Sequence, residues 1–285
     1  MTLPSGTLLA QSALSGVFIG SLYGLLGLGV GLAWGLLHVI NLAHFAFAFL
    51  AAYLCYQLAS VGGMDPLLTL ALIVPLFAVL GAAVQWLLER FEVSPLNSLL
   101  ATFGITAIIE AGIQWEWTAD FRKLESAYAG RTFKVGALFV PLPELLTLLL
   151  SLLLAFGIWA AMRYTRLGRA LRALAEDAPM AAAFGINRRA HALVLAGVCG
   201  ALAGIAGVCL ALTYTLTPSQ IYAWVGVVFA AVMLGGLGSA LGPLAGGIVI
   251  GVSEAVTMAF VSPSWAPIVS FSLLIGLLLL KPGRS

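Results

Sequence analysis

One stretch, RYTRLGRALRALAEDAPMAAAFGINRR from Arg163 to Arg189, gathers six of the chain's thirteen basic residues between two long apolar runs. In a chain that is only 8% charged, such an island must face water, and everything flanking it must find another solvent. With 62% hydrophobic residues and a mean hydropathy of +1.09, the chain lies far above the roughly 45–50% apolar share of soluble domains. It reads as an all-α, polytopic transmembrane helix bundle. The formal net charge of +2 is too small and too localised for nucleic-acid binding. A basic loop of this kind stays in the cytoplasm, and inside it lies what reads as a short capped helix, a shape suited to docking on a soluble, motor-like partner.

A spanning helix needs about 20 predominantly apolar residues. Such runs fall near 8–36, 44–61, 67–88, 97–117, 144–162, 191–214, 222–258 and 265–280. The seventh is too long for one pass and is interrupted by GGLGSALGP at 235–243, so it holds two short helices or one span plus a re-entrant segment, giving eight or nine crossings. The chain is expected to form one membrane domain over residues 1–285, with a cytoplasmic loop at 163–190 and an external loop at 118–143. Glu89, Arg90 and Glu92 mark a second cytoplasmic turn, and Lys281 and Arg284 a cytoplasmic C-terminus. Counting back puts the N-terminus outside. The first Lys or Arg is Arg90, so the first apolar segment lacks the basic flank of a cleavable signal and is expected to stay as a membrane helix. Cys55, Cys199 and Cys209 have no ligand-like spacing and read as packing residues.

Glycines recur at intervals of four: Gly16, Gly20, Gly24; Gly27, Gly31, Gly35; Gly238, Gly242, Gly246. Small residues at that spacing let helix backbones approach in lipid, where hydrophobic drive between helices is absent. Within the charged island, Leu167, Leu171 and Leu174 form an apolar stripe beside Arg163, Arg166, Arg169 and Arg172, expected as one helix leaving the membrane. Asp177 is placed to cap a second helix with Pro179 in its first turn, and Gly185 to end it in a left-handed conformation.

Ionisable groups inside apolar runs are costly and are paired or functional. Glu110 and Glu254 qualify, and Asn41 with His44 would share a face if their segment is helical. These four are the candidates for a translocation path, with Tyr23, Gln85, Gln114 and Tyr214 behind them. No GxxxxGK[ST] occurs, so the chain lacks that cradle for nucleotide phosphates, and no catalytic or metal site is expected. Ser239 with His191 as base is the conceivable hydrolase pair. A serine at a helix break and a histidine at the membrane edge have simpler roles, and that reading is set aside.

The run TRLGRALRALAEDAPMAAAFGIN, then AGVCGALAGIAGV and FAAVMLGGLGSALGPLAGGIVIG, together with GLAWGLLHVINLAHFAFAFLAAY and SPLNSLLATFGI, resembles the permease subunits of branched-chain amino-acid ABC importers, the shorter LivH type. The resemblance covers roughly residues 16–283 and is weakest over 118–140. It implies the ABC importer permease fold and a coupling segment at 174–186 seated on a cytoplasmic ATPase, with Glu176, Asp177, Met180, Ala181, Phe184 and Gly185 as contacts. It places the family's Asn-Ala-His element on Asn41, Ala43 and His44, with Phe45 where the family has Gly. It further implies two ATPase subunits that bind the ATP, a second permease subunit of the LivM type, an external binding protein that delivers the solute, and residence in the inner membrane, with no cofactor on this chain. Two other functions stay open at this point. An ABC permease for urea, short amides or sugars differs only in solute. A proton-coupled secondary transporter using Glu110 or Glu254 would work without partners.

Overall fold

The computed structural model describes residues 5–91, 93–262 and 265–280. Glu92, Lys281 and Arg284, three of the expected topological signals, lie outside the described residues. The bundle begins with α1 (Gly6–Leu32), extended by a π-helical turn at Ala33–Leu37, and continues with α2 (Ala43–Tyr56), itself ending in a π turn at Gln57–Val61. Then come α3 (Leu70–Arg90), α4 (Pro95–Trp117), a β-hairpin of β1 (Thr132–Val135) and β2 (Leu138–Pro141), and α5 (Leu142–Tyr164). Two short helices, α6 (Arg166–Glu176) and α7 (Ala178–Ala183), precede α8 (Arg188–Thr213), α9 (Ile221–Gly235), α10 (Gly242–Met258) and α11 (Ala266–Leu280). Among the described residues, seven helical segments are long and apolar enough to cross a membrane, and α10 is a shorter apolar helix.

The bundle is organised around α1, whose membrane segment is the most deeply buried of the seven. Its glycines make a seam with the antiparallel α10. A methyl group at Gly16 would lie 2.5 Å from the Val252 Cα, one at Gly20 2.5 Å from the Gly247 oxygen, and one at Gly24 2.6 Å from the Leu244 Cα. Real side chains cannot occupy such space, so the two backbones touch, and van der Waals contact does what hydrophobic burial does in water. The glycines that answer from α10 are Gly247 and Gly251, whereas Gly242 and Gly246, of the fourfold-spaced set, do not meet α1's glycines. Those two face the α9 side of the hairpin instead, Gly242 against Gly235 and Gly246 against Ala231. A second seam joins α3 to α8, with Gly81 against Ala196 and Gly200 against Phe77.

The long apolar run 222–258 resolves into two antiparallel helices. Gly236 and Gly238 take positive φ at 91° and 73°, a turn open to glycine at no steric cost. The Ser239 hydroxyl accepts from the Gly242 amide at 3.0 Å and the Gly238 amide donates to Gly31 O at 3.2 Å, which pins the turn to the end of α1. Ser239 is thus employed in a helix start, and the His191 ring meets Asn187 O at 2.7 Å.

At the other end of the bundle, residues 118–143 are tied down at three points. Gln11 exchanges two hydrogen bonds with the Phe139 backbone (2.9 and 3.0 Å), Arg122 pairs through its backbone with Leu216, and the Tyr128 hydroxyl donates to Asp65 Oδ2 at 2.7 Å. The hairpin is the one departure from an all-helical chain among the described residues. Cys55, Cys199 and Cys209 are buried and free, as packing residues should be.

Gly20→Val is expected to cost about 1–3 kcal/mol, the range for overpacked cores, and to lower the thermal midpoint in detergent. Gly157→Ala, where nothing lies within 4 Å of the added methyl, should leave it unchanged or raised. The Asp65 tether also carries a pH signature. Its carboxyl is held below the ordinary range first by the Tyr128 hydroxyl and then by the Leu67 and Leu68 amides. A depressed carboxyl contributes above its unfolded pKa and stops contributing as pH falls through the folded value. Protease cleavage within 118–143, followed in oriented vesicles, should therefore hold steady to the ordinary aspartate range and rise only below it.

Candidate functional site

Two regions carry the chemistry: the helix pair α6–α7 at one end of the bundle and a set of polar groups inside it. The expected single helix from Arg163 is broken at Thr165. Its hydroxyl donates to Ala161 O at 2.6 Å, closing α5, and accepts from the Gly168 amide at 3.1 Å, opening α6. Gly168 is buried against the Met162 backbone, so the chain turns sharply at the membrane surface. Arg163 stays on α5 with its guanidinium over Trp159 (5.4 Å) and Tyr164 (5.8 Å), a cation held at the interface by aromatic faces. Leu171 is buried and Leu174 half-buried, while Arg166, Arg169 and Arg172 are exposed.

Asp177 ends α6 and starts α7, its Oδ1 accepting from the Met180 amide at 2.9 Å. Gly185 closes α7 at φ 83°, with Gly185 N–H to Ala182 O at 2.9 Å and Ile186 N–H to Ala181 O at 3.1 Å. That pair of bonds is a Schellman cap, and Asn187 at once caps α8 through the Ala190 amide at 3.1 Å. The caps fix a helix of six residues that would not persist alone in water. Ala181 points inward and is buried; Glu176 and Asp177 are exposed; Met180 is 56% and Phe184 81% exposed. Two large apolar side chains thus stand exposed beside arginines.

Behind this pair lies a cavity of about 760 Å³. It is bounded by Leu36 and Leu37 at the end of α1, by Leu171 and Leu174 of α6, and by Gln85 and Glu89 of α3 with Arg189 of α8. Gln85 donates to Glu89 Oε1 at 3.0 Å and Arg189 Nε lies 3.6 Å from Glu89 Oε2. Sequence reading took Glu89 as a turn charge and left its partner unnamed, because the pair joins residues one hundred positions apart.

Leu37, Val39 and Gln85 also line a smaller cavity that holds Asn41 and His44. Here the expectation needs correction. Asn41 precedes α2, which starts at Ala43, so Asn41 and His44 do not share a helix face. Residues 38–42 form a break entered through His38 at φ 57°, and the Leu42 amide there donates to Thr102 Oγ1 at 3.1 Å. The His44 ring lies against Gly29, where any side chain would collide with it. Asn41 Oδ1 and His44 Nε2 have no hydrogen-bond partner, though His44 is only 3% exposed.

Glu254, 5% exposed, accepts from the Tyr23 hydroxyl at 3.0 Å and from Ser270, binding α1, α10 and α11 together. Tyr23 in turn meets Trp224 edge-on (5.6 Å), and Trp224 meets Tyr214 (5.3 Å). Glu110 is elsewhere, half-buried on α4, accepting from Gln114 Nε2 at 3.2 Å. The four path candidates therefore occupy three places: the break beside the cytoplasmic cavity, the core of the bundle, and the flank of α4.

Residues 12–278 match the family model described as "Branched-chain amino acid transport system / permease component". The chain belongs to that family. Among its curated relatives, the high-affinity branched-chain amino acid transport system permease protein LivH of Escherichia coli is 30% identical over 95% of this chain and 93% of its own length. The LivH protein of Salmonella typhimurium is 29% identical over the same shares. The corresponding protein BraD of Pseudomonas aeruginosa is 28% identical, over 95% of this chain and 94% of its own. No solved structure gives a significant match. This permease is thus a multi-pass membrane protein of a transport family, all-α apart from the β1–β2 hairpin.

The role of Glu254 in the core is open to a stability measurement. Glu254→Leu leaves the buried Tyr23 hydroxyl without this acceptor and is expected to cost about 1–3 kcal/mol, read as a lower thermal midpoint in detergent. Glu254→Gln keeps an acceptor for Tyr23 and should lose less than half as much.

Proposed function

We propose that this permease is the membrane-spanning subunit of an ATP-driven importer for branched-chain or related amino acids. In this reading it sits in the inner membrane, pairs with a second, LivM-like permease subunit, receives solute from an external binding protein and docks two cytoplasmic ATPase subunits. Those subunits bind the ATP; this chain performs no covalent chemistry and carries no cofactor. The solute class rests on the relatives, which are named for branched-chain amino acid transport.

The observation that carries the reading is the presentation of Met180 and Phe184 on a helix capped at both ends. An apolar pair in water beside Arg166, Arg169 and Arg172 suits a groove in a soluble partner with an acidic rim. Its inner side supports the same reading. Leu171 of α6 lies on the cavity wall shared with Leu36 and Leu37 at the end of α1, so a push on α7 has a short mechanical route to the break at 38–42. Rigid-body displacement of such elements is the usual basis of alternating access.

Purification of the tagged chain from its native host in mild detergent should bring down a stoichiometric ATPase, and scrambling residues 178–185 should lose it. Gly185→Val forces a β-branched residue into the left-handed region, at roughly 1–2 kcal/mol. It should leave insertion intact and abolish the stimulation of ATPase activity by solute-loaded binding protein. A stable chain that binds no ATPase and transports when reconstituted alone would instead make this a proton-coupled carrier.

A further inference from the structure

On α4, Phe103, Ala107, Glu110 and Gln114 recur at helical spacing along one face. Glu110 lies seven residues before Trp117, the end of α4, so it sits about 10 Å below the external interface. The nearly fully exposed Trp115 marks that interface as well. Beside this face, at the start of α9, stands Tyr222. Tyr222 packs on Phe103 with ring centroids 6.0 Å apart, and both rings are more than one-third exposed on the flank of the bundle. Among the described residues the single ion pair is Arg189–Glu89, so Glu110 has no cationic partner among them.

A half-exposed carboxylate at that depth is too costly to leave against lipid tails. It therefore faces either another protein or an aqueous lumen. Its neighbours favour the lumen with a particular guest. The carboxylate offers an anion, the Phe103–Tyr222 pair a flat apolar wall, and Gln114 an amide with a second N–H beyond the one given to Glu110. We propose that Glu110, Tyr222, Phe103 and Gln114 form an external-side solute site. Glu110 takes the ammonium group of a zwitterionic amino acid, the two rings carry its apolar side chain, and Gln114 donates to its carboxylate. The site faces a lumen completed by the second permease subunit. This assignment rests on the importer reading above and gives it a specific contact.

The complete transporter, reconstituted in proteoliposomes with its binding protein, tests both levels separately through leucine uptake. Glu110→Gln should assemble and raise the KM for leucine about tenfold, the loss expected when a charged hydrogen bond becomes neutral. Glu110→Asp should recover part of it, and Tyr222→Phe should show a smaller rise. Because the three native cysteines are buried, Glu110→Cys should be the position labelled by a charged, membrane-impermeant thiol reagent added outside. Leucine with binding protein should slow that labelling. An unchanged KM in Glu110→Gln, labelling indifferent to leucine, or failure of Glu110→Gln to assemble, which would make Glu110 interface glue, overturns the site and leaves the importer standing. A wild-type assembly that imports no amino acid removes the reading and the site with it.

Discussion

Backbone contact between α1 and α10 is the constraint on which the rest of this permease depends. In a bilayer, leucine gains nothing by leaving lipid for another helix, so cohesion comes from close approach and from hydrogen bonds. Gly16, Gly20 and Gly24 supply the approach, and the Tyr23–Glu254 bond, between neighbours on the same two helices, supplies the polar link. Gly29, just beyond on α1, leaves the space that the His44 ring fills. A helix stripped of side chains at these points thus carries both the seam and the packing of the polar break, which accounts for the burial of α1 on nearly every side.

The end that carries α6 and α7 follows a different physics, because its polar residues are exposed to water. Capping side chains set the shape: Thr165 turns the chain out of the membrane, Asp177 turns it again, Gly185 stops α7 and Asn187 restarts the path into α8. Each cap is worth about 1 kcal/mol, enough together to hold a six-residue helix against the bundle. Directly behind it lie the Glu89–Arg189 pair and the cavity that shares Leu37, Val39 and Gln85 with the smaller one holding Asn41 and His44. The exposed helix and the polar break therefore share walls, which gives the proposed coupling a physical route.

Local rules were legible in the sequence. The spans were readable because lipid demands long apolar helices, and the ends of α7 because Asp177 and Gly185 act on their own neighbours in the chain. The glycine spacing showed that a seam exists but not its partner. Gly247 and Gly251 answer α1 while Gly242 and Gly246 answer α9, and that choice depends on how α10 is rotated. An Asn at i and a His at i+3 look alike whether or not a break precedes them, so the condition that their segment be helical was not decidable from sequence; the π turn and left-handed His38 that make the break have no local signature. The Glu89–Arg189 pair and the separation of Glu254 from Glu110 are products of packing across the bundle, which no window of sequence contains.

The central claim is that the outer face of α7 is the contact through which a motor acts on this permease. The most direct test places a photo-crosslinking amino acid at Phe184 in the native host and identifies the adduct, with Leu149 on the exposed flank of α5 as control. The account expects an ATPase subunit joined at Phe184 and none at Leu149, with the yield changing when ATP is bound. Adducts at Phe184 that contain only lipid or another copy of the permease would contradict it.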